Sequence, residues 1–255
     1  VHAYLDAPPL ALAHRGGAGV PDNVGIENSV AAFAHAYRMG YRYFETDVRL
    51  SADGVVFAVH DETLERLTGS TRAVADMTAA QLRSELLDGR EPLVSLDDLM
   101  DEFGDAKFNV DVKSDDVVEP MCQLVKRRGA FDSACLASFS AARLKQIRAF
   151  EPQIATSAGP AEVAAFRLLP GFAARRIASA PVALQVPERR GPITVVTRGF
   201  VQRAHAAGVQ VHVWTVDDEA SIERLLDLGV DGIVSDRTDI LKQVLVRRGV
   251  WKDPS

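Results

Sequence analysis

The sequence predicts an α/β chain folded as a (β/α)8 TIM barrel with a small insertion after the second strand. Three observations predict it. Short β-rich runs alternate with helical runs from end to end, which implies a parallel sheet. Eight such units can be counted in 255 residues, which suits a closed barrel better than an open sheet. No strand is followed by the Gly-rich turn that marks an open dinucleotide-binding sheet, the runner-up architecture.

The elements follow in order. Leu10 to Arg15 reads as the first strand. Ser29 to Met39 reads as a helix, with an apolar stripe of Ala32, Phe33, Ala36 and Tyr37 and a stop at Gly40. Tyr43 to Leu50 is the second strand. Val55 to His60 follows the turn Ala52-Asp53-Gly54 as a hairpin-like excursion. An irregular polar stretch runs from Asp61 to Pro92, so the insertion covers about residues 51–92. Ser95 to Phe103 is a helix capped by Ser95.

Strands are then expected at Lys107–Lys113, Cys135–Phe139, Ile154–Ser157, Val182–Val186, Gln210–Val216 and Gly232–Ser235. Helices are expected at Asp115–Arg128, Ala141–Phe150, Pro160–Leu169, Arg198–Ala207, Asp218–Leu228 and Thr238–Arg247. No segment has linker composition, so residues 1–255 are read as one domain.

Composition is that of a globular protein with a sizeable core: 47% hydrophobic and 25% charged residues. The formal charge of −6 and the scattered arginine pairs argue against nucleic acid as a partner. Cys122 and Cys135 read as small buried residues. No apolar run is long enough to span a membrane, so no stable membrane insertion is expected. No signal peptide is visible, which gives a cytoplasmic expectation; the chain begins at Val1 rather than Met, and its natural start is left open.

In such a barrel the chemistry collects at the C-terminal ends of the strands. His14 and Arg15 close the first strand, Glu45 and Asp47 lie in the second, Asp111 and Lys113 close the third, His60 ends the excursion, and Trp214 lies near the end of the seventh strand. Residues two apart on a strand share a face, so Glu45 with Asp47, and Asp111 with Lys113, point the same way. Buried carboxylates repel unless paired or bound to a cation. Three carboxylates suit a hard divalent cation, Mg²⁺ or Ca²⁺; for Glu45 and Asp47 the alternative is an ion-pair network with Arg42, Arg49 or Lys113. Two histidines, His14 and His60, form an acid–base pair, since histidine titrates near neutral pH. Arg15 and Lys113 supply positive charge for a phosphoryl group, or salt bridges to the same carboxylates.

HRGG (His14–Gly17), ENSVAAF (Glu27–Phe33), the segment Tyr43–Thr68, Asp111-x-Lys113, VHVWTV (Val211–Val216) and GVDGIVSD (Gly229–Asp236) occur in that order. Together they resemble the glycerophosphodiester phosphodiesterase family. The resemblance implies metal ligation by Glu45 and Asp47, proton transfer by His14 and His60, and phosphate contact by Arg15 and Lys113. Glu27 would join the site network without a defined role, and Trp214 would stand near the substrate mouth or pack the barrel. Two departures stand out. The family's Glu-x-Lys is Asp111-x-Lys113 here, which leaves direct metal contact by Asp111 or contact through water both open. Pro21 to Ile26 also precedes Glu27-Asn28 where the family has Pro directly before Glu.

The expected reaction is metal-dependent hydrolysis of a glycerophosphodiester to glycerol 3-phosphate and an alcohol. The alternatives are a lysophospholipid or sphingolipid phosphodiesterase on the same barrel, or a non-catalytic barrel that binds phosphoryl ligands. Neither the alcohol nor the oligomeric state follows from the sequence.

Overall fold

The computed structural model describes residues 2–177 and 181–252. Its core is a ring of eight parallel strands: β1 (Leu10–His14), β2 (Tyr43–Leu50), β3 (Lys107–Val112), β4 (Ala134–Ala137), β5 (Ala155–Thr156), β6 (Ala183–Pro187), β7 (Gln210–Trp214) and β8 (Gly232–Ser235). They are hydrogen-bonded in the order β5-β4-β3-β2-β1-β8-β7-β6. A parallel bridge between Ser157 and Ala183 brings β5 against β6 and completes the ring. The (β/α)8 barrel is therefore the architecture.

The helices lie outside: α1 (Val30–Arg38), α2 (Leu96–Glu102), α3 (Val118–Arg128), α4 (Ala141–Phe150), α5 (Pro160–Leu168), α6 (Arg198–Ala206), α7 (Glu219–Leu228) and α8 (Thr238–Arg247). Five begin at an N-cap side chain, Ser29, Ser95, Ser140, Thr197 or Asp218, which accepts from the backbone N–H three residues on. Such caps satisfy donors that the first helical turn leaves orphaned. A further short helix, Gly171–Ile177, was not foreseen.

Alternation along the strands splits the apolar residues into two cores. Phe44, Val48, Phe108, Val110, Leu136, Leu184, Val211 and Ile233 point outward and pack under the helices. Leu10, Leu12, Tyr43, Cys135, Ala155 and Val234 point into the lumen. Tyr4 and Leu5 fill the lower end of that lumen. Tyr4 is fully buried there, its ring edge-to-face on Tyr43 at 5.6 Å. Tyr43 Oη donates to the Tyr4 carbonyl at 2.7 Å, and Lys107 Nζ donates to the carbonyls of Ala3 and Tyr4.

The insertion is more ordered than its polar composition suggests. Val56–Ala58 pairs antiparallel with β2. Thr63–Leu64 pairs with Ser70–Ala73 around a helical turn, Glu65–Thr68. A helix, Ala79–Ser84, starts at a capping box of Thr78 and Gln81. Ile26, Phe57, Val59, Leu64, Met77, Leu82 and Leu93 form a separate small core. The irregular stretch expected from Asp61 to Pro92 is thus corrected. Its elements are two to six residues long, too short for a helical or strand period to show. The Thr78-x-x-Gln81 capping box is a local signal that could have marked the helix.

Candidate active site

Register places the polar residues in rows across the top of the barrel. His14 stands beside Glu45, and Glu45 beside Asn109. One row higher, Asp47 stands beside Asp111. The backbone then turns sharply. Arg15 has φ 49° and Asn28 φ 62°, left-handed values that cost non-glycine residues energy. Two contacts hold this turn: Arg15 N donates to the Glu45 carbonyl, and Asn28 N to the Arg15 carbonyl, each at 2.9 Å. Gly16 follows at φ 85°, and a Cβ there would sit 2.8 Å from the Ala32 backbone carbon. Helix α1 therefore packs close enough to bring Glu27 to the site.

His14 Nδ1 lies 2.7 Å from Asp236 Oδ1. An ionised carboxylate only accepts, so Nδ1 carries the proton. Nε2 then faces the carboxyl of Glu45, 3.6 Å from its Oε2. Burial opposes protonation of His14, but Glu45 and Asp236 outweigh it and raise its pKa above the ordinary histidine value. Asp236 is held in turn by Asp217, whose Oδ1 accepts from Ser235 Oγ and from the Asp236 backbone. His60 repeats the pattern with Asp61, Nδ1 to Oδ1 at 2.6 Å. Arg49 Nε donates to the His60 carbonyl, which fixes that backbone against β2.

The carboxylates divide by environment. Burial pushes Glu45 up to about 8, helped by Asp47 and only partly opposed by His14. Burial also raises Asp111. Asp47 is as deeply buried, yet Arg15 and Lys113 overcome the burial cost and hold it below its usual value. Arg15 Nε is 2.9 Å and Lys113 Nζ 2.7 Å from the Asp47 oxygens. Lys113 Nζ also lies 2.6 Å from Asp111 Oδ2, so it bridges the two neighbouring carboxylates. The ion-pair alternative is therefore present for Asp47 and Asp111 through Lys113. Arg42 instead pairs with Asp105.

Can these residues hold a cation? Glu45 Oε2 and Asp47 Oδ2 are buried acidic oxygens without an aligned hydrogen bond; Arg15 Nε stands 2.9 Å from the Asp47 oxygen and His14 Nε2 3.6 Å from the Glu45 oxygen. The Glu45 oxygen is costly to bury unless a cation or water meets it, and oxygen donors suit Mg²⁺ or Ca²⁺. Those two side chains fit. Among the described residues no three acidic, histidine or cysteine side chains are drawn into a ready-made cage.

Glu27 is buried between two arginines. Arg15 Nη1 donates to its Oε1 at 3.0 Å, and Arg66 Nη1 and Nη2 donate to both its oxygens. Trp214 lies at the rim, edge-to-face with Phe139 at 5.6 Å. Phe139 is 64% exposed at the end of β4. Lower in the lumen, Gln185 Nε2 donates to Asn109 at 2.7 Å and lies 3.5 Å from the His212 ring. His212 is wholly buried, which pulls its pKa down to about 4 and keeps it neutral. All the expected site residues thus lie at one end of the barrel. Sequence reasoning missed Asp236, Arg66 and Phe139. Asp236 stood inside a quoted motif but gave no sign of facing His14, 222 positions away.

The model of the glycerophosphoryl diester phosphodiesterase family matches residues 14–240. The chain belongs to that family. A probable glycerophosphodiester phosphodiesterase 2 of Mycobacterium tuberculosis is 35% identical over 252 residues, covering 95% of this chain and 92% of the relative. A human lysophospholipase D is 24% identical, covering 92% of this chain and 85% of the relative. A solved glycerophosphoryl diester phosphodiesterase fold from Silicibacter pomeroyi superposes with a TM-score of 0.80 at 24% identity, covering 98% of this chain and 99% of that one. In this family member no helix among the described residues is long and apolar enough to cross a membrane.

Proposed function

We propose that the chain, as one domain spanning barrel and insertion, hydrolyses glycerophosphodiesters to glycerol 3-phosphate and an alcohol. Two histidines act as acid and base, and one divalent cation assists. Family membership supports the reaction class. The observation that carries the mechanism is the pair of His–Asp dyads at the barrel mouth. Each carboxylate engages Nδ1 and leaves Nε2 as the nitrogen for proton transfer. One histidine takes the proton of the glycerol hydroxyl next to the ester as its oxygen attacks phosphorus. The other gives a proton to the departing alcohol oxygen. Water then opens the resulting cyclic phosphate; direct attack by water is the simpler variant, and ³¹P NMR distinguishes the two by the cyclic ester.

Arg15 and Lys113 place positive charge where the phosphoryl oxygens gain negative charge. Glu45 and Asp47 would hold Mg²⁺ or Ca²⁺, with Asp111 as third ligand, direct or through water. A bound cation would polarise a phosphoryl oxygen and acidify a neighbouring hydroxyl. Trp214 would line the substrate mouth.

The experiment is release of glycerol 3-phosphate from glycerophosphocholine by the purified protein, in EDTA and then with Mg²⁺ or Ca²⁺. Activity lost to EDTA and restored by one cation supports both the reaction and the metal. The human relative favours a second reading, a lysophospholipid diester as substrate. Turnover of lysophosphatidylcholine with none of glycerophosphocholine would select it.

A further inference from the structure

Arg66 is absent from the mechanism above, yet its guanidinium joins the parts that the mechanism uses. It projects from the helical turn Glu65–Thr68 of the insertion. Nη1 and Nη2 donate to the two oxygens of Glu27 at 2.8 and 2.7 Å. Nε donates to Asp61 Oδ2 at 2.6 Å. The same Glu27 Oε1 accepts from Arg15, and the other Asp61 oxygen engages His60 Nδ1. The result is one unbroken chain of charged hydrogen bonds: Arg15, Glu27, Arg66, Asp61, His60. Its two ends are a phosphate-gripping cation and a proton-transfer group. Glu27 comes from the barrel loop before α1, and Asp61 from the insertion.

Part of this arrangement is structural, since Glu27 is buried and needs a cation beside it, while Arg66 itself is 47% exposed. What a planar fork of donors does supply is geometry, because it fixes two carboxylates in one plane. A lysine has no such fork. The ring of His60 is itself one-third exposed, so its orientation depends on Asp61.

Resting on the reading given under Proposed function, we infer that Arg66 is a positioning residue: it sets His60 through Asp61 and Arg15 through Glu27. It touches no reacting atom. The two arms predict different kinetic signatures. Loss of the Asp61 arm misorients a group needed in the transition state and lowers kcat. Loss of the Glu27 arm loosens the phosphate grip and raises KM. Outer partners of this kind are worth about 10–100-fold.

The test is steady-state turnover of glycerophosphocholine by wild type, R66Q, R66K, D61N and E27Q, with thermal melts on each. The expected result is a kcat loss of about 10–100-fold in D61N, a KM rise in E27Q, and both in R66Q. R66K should fail to restore either. R66A should recover activity in millimolar guanidinium, which a purely structural residue would not do. The double variant R66Q/D61N should have the kcat of D61N, because coupled residues are not additive. Wild-type kinetics in folded R66Q overturns the inference, as do additive losses or a loss that follows the melting temperature without guanidinium rescue. A wild type that releases no glycerol 3-phosphate overturns the functional reading instead. The ¹⁵N spectrum of the His60 ring then decides Arg66 alone: one Nδ1–H tautomer in wild type and a mixture in R66Q is expected, and identical spectra refute the role.

Discussion

In the proposed mechanism, carboxylates that orient other groups matter as much as those that would face the substrate. His14 and His60 each lean on an aspartate. H14A and H60A should each lower turnover by several powers of ten, measured as glycerol 3-phosphate release. D236N keeps the shape but accepts poorly at Nδ1, so the ring can adopt the wrong tautomer. A kcat loss of about 100-fold or more with an unchanged melting curve is expected, by analogy with the buried aspartate of hydrolase triads.

Glu45 makes a second prediction at this scale. Burial raises its folded-state pKa to about 8 from a reference near 4.5, and His14 is raised as well. A group with a raised folded pKa contributes stability that is complete below its unfolded pKa and is lost as pH rises through the folded one. Asp47 and Glu27, both lowered, contribute above about pH 4 and lose that contribution only in acid. In EDTA the melting temperature should therefore fall between about pH 5 and pH 8. Mg²⁺ or Ca²⁺ should flatten the fall, because a cation on the Glu45 carboxylate stabilises its ionised form. A flat profile in EDTA would refute this account.

Among the elements, α1 and the insertion matter most, because they carry side chains to the site without belonging to the ring. Ser29 is fully buried and its Oγ accepts from Ala32 N at 3.1 Å. S29A should cost about 1 kcal/mol, a melting shift of about 2–4 °C for a chain of this size. It should also raise KM, since Glu27 sits two residues before the cap. The same change at Thr78 removes the capping box of an exposed helix and should shift melting by a similar amount while leaving KM alone. Kinetics and differential scanning calorimetry on both variants separate the two effects.

At the scale of the whole molecule, the lumen is closed below by Tyr4 and Leu5. Tyr4 is fully buried, and Y4A should cost about 3–5 kcal/mol as a large-to-small core change. A melting temperature within 2 °C of wild type, by calorimetry, would show that the plug does not hold the barrel. This scale also shows what the sequence could express. Tyr43–Leu50, Ala141–Phe150, Gly232–Ser235 and Thr238–Arg247 were read at their observed bounds, because period and punctuation are local. His14, Glu45, Asp47, Asp111 and Lys113 were legible as one group because strand ends in a barrel converge. Three features were not legible: Tyr4 in the lumen, Asp236 behind His14, and Arg66 between Glu27 and Asp61. Each depends on a contact between distant segments, which periodicity does not encode. The lumenal His212 looked like an ordinary mid-strand residue; the pairing of β7 with β6 and β8 puts Gln185 beside it and Gly232 against its face.

The seam between β1 and β8 joins the first strand to the last, and the His14–Asp236 dyad straddles it with 222 positions between its members. At ribosomal speeds of about 5–20 residues per second, a growing chain waits on the order of 10–45 s after making His14 before Asp236 exists. The two members of the dyad thus meet only after all eight strands have been made. A chain stopped before Gly232 lacks both the strand that closes the ring onto β1 and the aspartate that holds His14.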